Sequence, residues 1–409
     1  MSVPPAPGAG ATPEAPATES PSPSPSREEP IADPERRRRA ADYARLRRRL
    51  QLFELLAAAG ALIVLLGSGL AVAWRAALEA RLQTVTPAPG WTGDLLLVAT
   101  YVVTLGGAGM ILMLPFGYYG GFVLPHRFGL STQSAGGWAS DAVKGLLLGV
   151  AQLVLIALPV AALLRLTPAW WWLWAGLVLA LFGVVLTNLA PVLLVPLFFK
   201  LRPLPAGDLR ERLERLAGAA GTAIRGVYVI DLSRRTRAAN AAVMGLGNTR
   251  RIVLGDTLLA AFGPPEVVAV MAHELGHQVA RDLWRAIALD STLTLIALWL
   301  CDRLGRSIAP LLGMSGLSDA AALPLLLLIG SALFLVAMPV TAGFSRRREA
   351  AADAFAVRIT GDPESWKGAL RRLADTNLAE VDPPAWYEWL VYTHPSIRHR
   401  LEAADRIGP

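Results

Sequence analysis

The 409 residues are 54% hydrophobic, and 39 lysines and arginines against 32 acidic residues give a net charge of +7. A mean hydropathy of +0.43, concentrated in long apolar runs, excludes an ordinary soluble domain and indicates a polytopic membrane protein. The single cysteine, Cys301, excludes a disulfide framework and a thiolate metal site. No pattern of basic and aromatic residues accompanies the positive charge, so we expect no nucleic-acid partner and attribute the charge to membrane orientation.

The N-terminal segment, residues 1 to about 34, consists mainly of Pro, Ala, Ser, Glu and Thr. This composition predicts disorder, because it buries too little apolar surface to offset chain entropy. Arginines at 36–39, 45 and 47–49 stand directly before the first apolar run. Nucleic-acid binding is one use for them, but the positive-inside rule explains them better and places this end in the cytoplasm. We interpret residues 1–50 as a disordered, arginine-rich cytoplasmic tail.

Six runs are long and apolar enough to cross a membrane, at about 52–74, 95–116, 144–165, 169–198, 284–304 and 321–343. They form a four-span region at 51–200 and a two-span region at 284–343. Tryptophans at 170–172 and 174 are typical of an interfacial belt, and Pro191 and Pro196 predict a bend late in the fourth run. With a cytoplasmic start, most loop arginines fall on the cytoplasmic side, so span parity and charge agree.

Two segments outside the spans, 201–283 and 344–409, fall on the same side of the membrane by this parity. Helical spacing covers 209–219, and strands are predicted at 227–230, 240–244 and 251–254. We therefore expect one mainly helical α+β domain, made in two parts and carrying a small sheet.

The helix predicted over 266–280 contains the sequence His-Glu-Leu-Gly-His. His273 and His277 are four residues apart, so both project from one face and can bind one Zn²⁺. Glu274 lies beside them, where it can take a proton from the attacking water. The alternative is a buried helix whose two histidines are satisfied by hydrogen bonds. A third ligand on the same side of the membrane would favour the metal site.

Glu349 and Asp353 supply such a group, one helical turn apart and directly after the sixth span. Glu349 would complete a site of two histidines and one glutamate, which leaves a coordination position open for hydrolysis. Asp353 would hold the second nitrogen of His273. The alternative is two solvated carboxylates on a surface helix.

These motifs resemble the integral-membrane zinc endopeptidases of the CAAX prenyl protease 1 type and their bacterial HtpX-like relatives. The similarity rests on the His-Glu-Leu-Gly-His motif at 273–277 and on Ser-Arg-x-x-Glu-x-x-x-Asp at 345–353. It extends to His126-Arg-Phe-Gly, Asn240-Ala, Arg251-Ile-Val-Leu and Thr393-His-Pro. The chain departs from the family in two ways: it has six spans rather than seven, and Arg348 stands where an aromatic residue is usual.

The resemblance implies a zincin-like fold of the gluzincin type with one Zn²⁺ per chain. The implied ligands are His273, His277 and Glu349, and the implied general base is Glu274.

It also implies roles for residues outside the two metal motifs. Asn240 and Ala241 would pair with an extended substrate backbone. His394 would stabilise the oxyanion, and Arg400 nearby would be a further substrate-binding residue. From the sequence alone, His394 could equally cap the helix that follows it.

We conclude that the chain is a multi-pass membrane zinc endopeptidase, with its N-terminus and active site on the cytoplasmic side of the cell membrane. Its partners would be the bilayer and a peptide or protein substrate, either membrane-associated or lipidated, in defined processing or in quality control. The alternative is a transporter or channel with a regulatory metal site, which six spans would suit and which Asp290 within the fifth span favours. A catalytically inactive scaffold is disfavoured because Glu274 is present.

Overall fold

The computed structural model describes residues 33–85, 90–245 and 247–407. The disorder predicted for residues 1 to about 34 therefore lies almost wholly outside the described residues. The prediction that the tail runs to residue 50 is wrong, because the first helix already begins at Pro34. Asp33 caps this helix by accepting a hydrogen bond from the Glu35 N–H at 2.9 Å.

The membrane region is made almost entirely of helices. They are α1 Pro34–Gly67, α2 Leu70–Val85, α3 Trp91–Tyr101, α4 Gly107–Tyr118, α5 Leu124–Arg127, α6 Ala135–Leu166, α7 Trp171–Leu189 and α8 Val195–Phe198.

The second half of the chain adds α9 Asp208–Ala219, α10 Asp256–Ala261, α11 Pro264–Val279, α12 Asp282–Ile308, α13 Leu323–Thr360, α14 Pro363–Thr376, α15 Ala385–Val391 and α16 Ile397–Ile407. The strands are β1 Leu201–Pro203, β2 Val227–Ile230, β3 Ala241–Met244 and β4 Arg251–Gly255.

Six helical segments of the described residues are long and apolar enough to cross a membrane, which confirms the predicted number. The second of them, Trp91–Arg127, combines α3, α4 and α5, which are joined by π-helical turns. The first span differs from its predicted bounds, since α1 ends at Gly67 and the helix is interrupted at Ser68 and Gly69 before α2 begins. Gly69 has a φ of +75°, a conformation that glycine adopts without steric cost. Where a bend was predicted in the fourth span, the helix has a π-helical segment at Ala190–Leu194 that contains Pro191.

The α+β domain contains a four-stranded sheet in the order β1-β2-β4-β3. β2 runs parallel to β4, whereas β1 and β3 are antiparallel to their neighbours. β1 was missed by the sequence analysis, because three residues are too few for an alternating pattern. The core of the domain lies between the sheet, α11, α14 and α16, and includes Leu254, Met271, Trp366 and Leu370.

The two parts of the domain are joined through α13, which is 38 residues long and continuous from the sixth span to Thr360. The separate helix expected at 345–356 is thus the distal part of the membrane helix itself. We call the side of the membrane region that carries the α+β domain the domain face, and the other side the opposite face. α1 also reaches the domain face, where Arg36 forms an ion pair with Asp375 at 3.6 Å.

Candidate metal centre

The centre is built on α11, which forms a helix for local reasons. Pro264 fits the first turn, and the Glu266 carboxylate accepts a hydrogen bond from the Gly263 N–H at 2.8 Å. The apolar residues that follow are buried in the domain core, so the helix is held firmly. One turn apart at its far end, His273 and His277 project from one face with ring centres 4.8 Å apart.

Glu349 of α13 lies opposite these histidines and completes a cluster of three. The two Nε2 atoms of His273 and His277 are 3.3 Å apart. Each lies 3.3 Å from an oxygen of Glu349. Ligands at about 2.0–2.1 Å from a tetrahedral metal lie about 3.3 Å from one another, so the cluster has the spacing of a metal site.

The other nitrogen of each histidine is held by a carboxylate. His273 Nδ1 lies 2.8 Å from Asp353 Oδ1, as the sequence predicted, and His277 Nδ1 lies 2.9 Å from Asp282 Oδ2. A carboxylate at Nδ1 fixes the ring and leaves the Nε2 lone pair directed into the centre. Both histidines are therefore oriented so that Nε2 can bind a metal ion.

The charge at Glu349 also suits a cation. Its Oε2 atom is buried and has no hydrogen-bond partner among the described residues, which is costly for a carboxylate unless a cation neutralises it. Burial tends to raise the pKa of Glu349, but the adjacent imidazoles outweigh burial and hold that pKa well below its usual range. Two imidazole nitrogens and one carboxylate oxygen form a donor set that a divalent transition metal prefers.

Glu274 follows His273 directly and is half-buried at the edge of the cluster. Within the described part of the chain, no hydrogen bond or ion pair engages its carboxylate. Burial raises the pKa of Glu274, while the neighbouring histidines partly oppose this rise. The carboxylate is therefore available to exchange a proton with a molecule in the site.

His394 reaches the cluster from the loop before α16. Its Nε2 lies 3.4 Å from Glu349 Oε1, and its Nδ1 lies 3.0 Å from the Thr393 hydroxyl. Because its side chain remains 57% exposed, it can contact a molecule bound at the centre. The alternative role as a helix cap is not seen, since Ser396 Oγ accepts from the His399 N–H at the start of α16.

Arg400 is placed differently from the prediction. It is buried behind Asp353, to which it donates two hydrogen bonds of 2.9 and 2.7 Å. The expected contact with substrate does not fit this position, because the side chain is buried and its Nε and Nη2 donors bind Asp353. Arg400 instead fixes the carboxylate that holds His273.

Trp366 of α14 adds a second constraint on His273. The imidazole of His273 and the indole of Trp366 are nearly parallel, with ring centres 5.2 Å apart. The Arg400 guanidinium lies 5.4 Å from the centre of the Trp366 ring. The His273 imidazole is thus held by Trp366 at its face and by Asp353 at Nδ1.

Asn240 and Ala241 lie at the start of β3, the edge strand of the sheet, which packs near α11. The Asn240 carbonyl accepts from the Gly255 N–H at 2.9 Å and so points toward β4. Because directions alternate along an antiparallel strand, the backbone groups of Ala241 and Val243 point away from β4. On that side the Val243 carbonyl accepts from Gln278 Nε2 of α11 at 3.5 Å. Asn377 braces the entry to this strand by accepting from the Ala239 N–H at 2.8 Å.

Two residues of the centre were missed by the sequence analysis, Asp282 and Trp366. Asp282 could have been suspected, as a carboxylate five residues after His277. It returns to the histidine because Arg281 breaks the helix in the left-handed conformation, with a φ of 54°. For Trp366 no sequence signal existed, since its contact with His273 depends on how α14 packs.

Comparisons with known proteins agree with this geometry. A sequence profile described as Peptidase family M48 matches residues 203–407. A second one, described as CAAX prenyl protease N-terminal with five membrane helices, matches residues 17–200. In this chain the region has four apolar helical segments that are long enough to span. It also contains α2, a helix of 16 residues.

Individual relatives support the same assignment. The uncharacterized metalloprotease YhfN of Bacillus subtilis is 31% identical, over 75% of this chain and 72% of its own length. A CAAX prenyl protease 1 homolog of Arabidopsis thaliana is 32% identical, over 71% of this chain and 69% of its own.

A solved structure shows the same fold. The crystal structure of S. mikatae Ste24p superposes with a TM-score of 0.79 at 24% identity, covering 92% of this chain and 90% of that one. The predicted membrane endopeptidase is thus confirmed at the level of family and fold, and a transporter is not favoured. The chain belongs to peptidase family M48 and is a membrane-embedded metalloendopeptidase.

Proposed function

We propose that the centre binds one Zn²⁺ through His273, His277 and Glu349 and that peptide bonds are hydrolysed there. The convergence of the three side chains carries this proposal: the two Nε2 atoms are 3.3 Å apart, and each lies 3.3 Å from a different oxygen of Glu349. Zn²⁺ held by two imidazoles and a carboxylate keeps one position open, polarises a peptide carbonyl and lowers the pKa of water.

Glu274 acts as the general base and then as the general acid. Its carboxylate accepts a proton from the attacking water, whose oxygen forms the new bond to the peptide carbon. When the carbon–nitrogen bond breaks, Glu274 donates that proton to the leaving amine. His394 donates a hydrogen bond from Nε2 to the oxyanion, and Asp282 and Asp353 keep the two ligand histidines in orientation.

The substrate backbone binds along the free edge of β3, beginning at Asn240 and Ala241. The outward backbone groups of Ala241 and Val243 would form the antiparallel pairing that an extended peptide requires. Such pairing brings the scissile bond past α11, which carries the ligand histidines.

The substrate class follows from the position of the centre on the domain face. We propose that this face is cytoplasmic and that the protein resides in the cell membrane, since the exposed arginines 45, 47 and 49 lie where α1 enters the bilayer. Substrates would be peptides or proteins at the membrane surface. Lipidated ones are included because relatives carry the name CAAX prenyl protease 1.

Paired variants separate metal binding from proton transfer. Glu349→Ala removes one of three ligands, so bound zinc should fall markedly in elemental analysis of the purified protein. Glu274→Gln keeps all three ligands, so zinc should stay bound while peptide cleavage falls by about two to four orders of magnitude.

Each variant can contradict one part of the proposal. Full zinc content in Glu349→Ala would remove Glu349 from the ligand set. Undiminished cleavage of a quenched peptide by Glu274→Gln would rule out this hydrolytic mechanism. Glu364→Ala, at an exposed glutamate on α14, is the matched control and should change neither quantity.

A further inference from the structure

Helix α15 exposes two tryptophans that the catalytic centre does not use. Trp386 is 65% and Trp389 is 61% exposed, and the three-residue spacing places both on one side of the helix. α15 lies outside the six apolar helices. Tryptophan is usually well buried in a soluble domain, so two exposed indoles on one short helix indicate a surface with a partner.

Tyr387, between the two tryptophans, fixes the position of α15 relative to the membrane. Its hydroxyl donates to Gln51 Oε1 at 3.3 Å, and the Arg48 guanidinium lies 5.3 Å from its ring centre. Gln51 directly precedes Leu52 and Phe53, whose side chains are 55% and 61% exposed. α15 therefore lies at the level where the apolar part of α1 begins.

The surface next to α15 has the composition of a membrane boundary. On α1, exposed apolar side chains that include Leu52, Phe53 and Leu56 continue toward the opposite face. The arginines at 45, 47 and 49 are exposed on the other side of this level. Indole rings prefer the headgroup layer between such apolar and basic zones, and guanidinium groups there attract anionic phosphates.

We propose that Trp386 and Trp389 insert into the headgroup layer of the surrounding bilayer and that the exposed arginines of α1 bind anionic phospholipid beside them. The partner is thus the lipid surface of the enzyme's own membrane. The surface is continuous with the lipid-facing side of α1, and its charge is complementary to anionic headgroups.

This contact would position the loop that carries His394. Arg346 of α13 donates to the carbonyls of Glu388 and Tyr392 at 2.8 and 2.7 Å. The Glu388 carboxylate accepts from the Ser396 N–H at 2.8 Å, on the far side of that loop. Lipid that holds α15 therefore holds the loop as well.

A depth measurement tests the proposal without any catalytic turnover. In a Cys301→Ala background, Trp386→Cys and Trp389→Cys are made one at a time, labelled with a nitroxide and reconstituted in vesicles of phosphatidylcholine and phosphatidylglycerol. Collision rates with oxygen and with a water-soluble nickel chelate report the depth of the label. Leu56→Cys serves as the lipid-facing reference, and Glu402→Cys on α16 serves as the water-facing reference.

We expect the labels at 386 and 389 to give oxygen-to-nickel ratios between those of the two references. Ratios equal to that of Glu402→Cys would overturn the proposal, because the helix would then face water, as in an internal cavity or a peptide-binding cleft. Bound zinc, measured for each labelled protein, confirms that the variant has folded.

A second comparison tests the arginines. With the label at 389, changing Arg45, Arg47 and Arg49 to glutamine should lower the oxygen-to-nickel ratio toward the water-facing value. In the labelled protein that keeps its three arginines, omitting phosphatidylglycerol from the vesicles should lower the oxygen-to-nickel ratio in the same way. A ratio that responds to neither change would refute the binding of anionic lipid.

Discussion

At the scale of single residues, two carboxylates hold the Nδ1 atoms of His273 and His277, so that each imidazole directs Nε2 into the centre. Asp353 holds His273 and is itself fixed by Arg400, while Asp282 holds His277. Arg348, which replaces the aromatic residue usual in the family, forms an ion pair with Asp282. Arg348 thus contacts the carboxylate that holds His277.

Replacing Asp282 should weaken metal binding without removing a ligand. In Asp282→Ala, His277 loses the acceptor at Nδ1, and metal affinity should fall by about 10- to 100-fold in competition with a chelator. Asp382→Ala, which removes an exposed carboxylate on the loop before α15, should leave the affinity unchanged.

Asp282→Ala also leaves Arg348 without its partner, so a second variant is needed. Asp282→Ala combined with Arg348→Tyr removes both charges. If the histidine orientation matters, affinity stays low in the double variant. Recovery would mean that an unpaired arginine charge caused the loss.

Residue spacing made four members of the centre predictable, since His273 and His277, like Glu349 and Asp353, are four apart on one helix. Asp282 and Trp366 were not predictable, because each depends on a contact between segments. A helix break at Arg281 brings Asp282 back to His277. No local sequence pattern predicts that an arginine adopts the left-handed backbone conformation.

At the scale of elements, the edge of β3 is the feature with the clearest function. Strand existence was predictable for β2, β3 and β4 because each is apolar and bounded by turn residues. Their order was not, since β2 pairs with β4 across 24 intervening positions and leaves β3 at the edge. Only the assembled sheet shows which backbone groups are free.

Proline substitutions in β3 distinguish the free edge from the paired one. Ala241→Pro removes an N–H that points to the free edge, so peptide cleavage should fall by about tenfold with zinc content and thermal stability retained. Ala242→Pro removes an N–H directed at β4 and should instead lower the melting temperature. Equal cleavage by Ala241→Pro and the unchanged protein would contradict substrate pairing at this strand.

At the scale of the whole molecule, the length and apolarity of the runs were enough to predict six spans, and parity was enough to predict a shared side for both halves of the domain. Helix ends were less accurate. The break after Gly67 and the continuity of α13 across the membrane boundary both depend on packing, because a strong helix former can continue a span without any change in local pattern.

Orientation can be checked with two labels. Cysteines introduced at Gly207 and Asp362, one in each half of the domain, should both be labelled only from the cytoplasmic side of sealed vesicles. Labelling of both from the outer side would reverse the orientation proposed here. Labelling from opposite sides would be incompatible with a shared metal centre.

The position of Glu349 has a consequence for biogenesis. Glu349 lies on the helix of the sixth span, whereas His273 and His277 precede the fifth, so the three proposed ligands come together only when α13 packs against α11. During synthesis the ribosome must release the fifth and sixth spans for insertion before α13 can bring Glu349 back to α11. Under the proposed mechanism, a nascent chain that lacks α13 therefore has an incomplete centre.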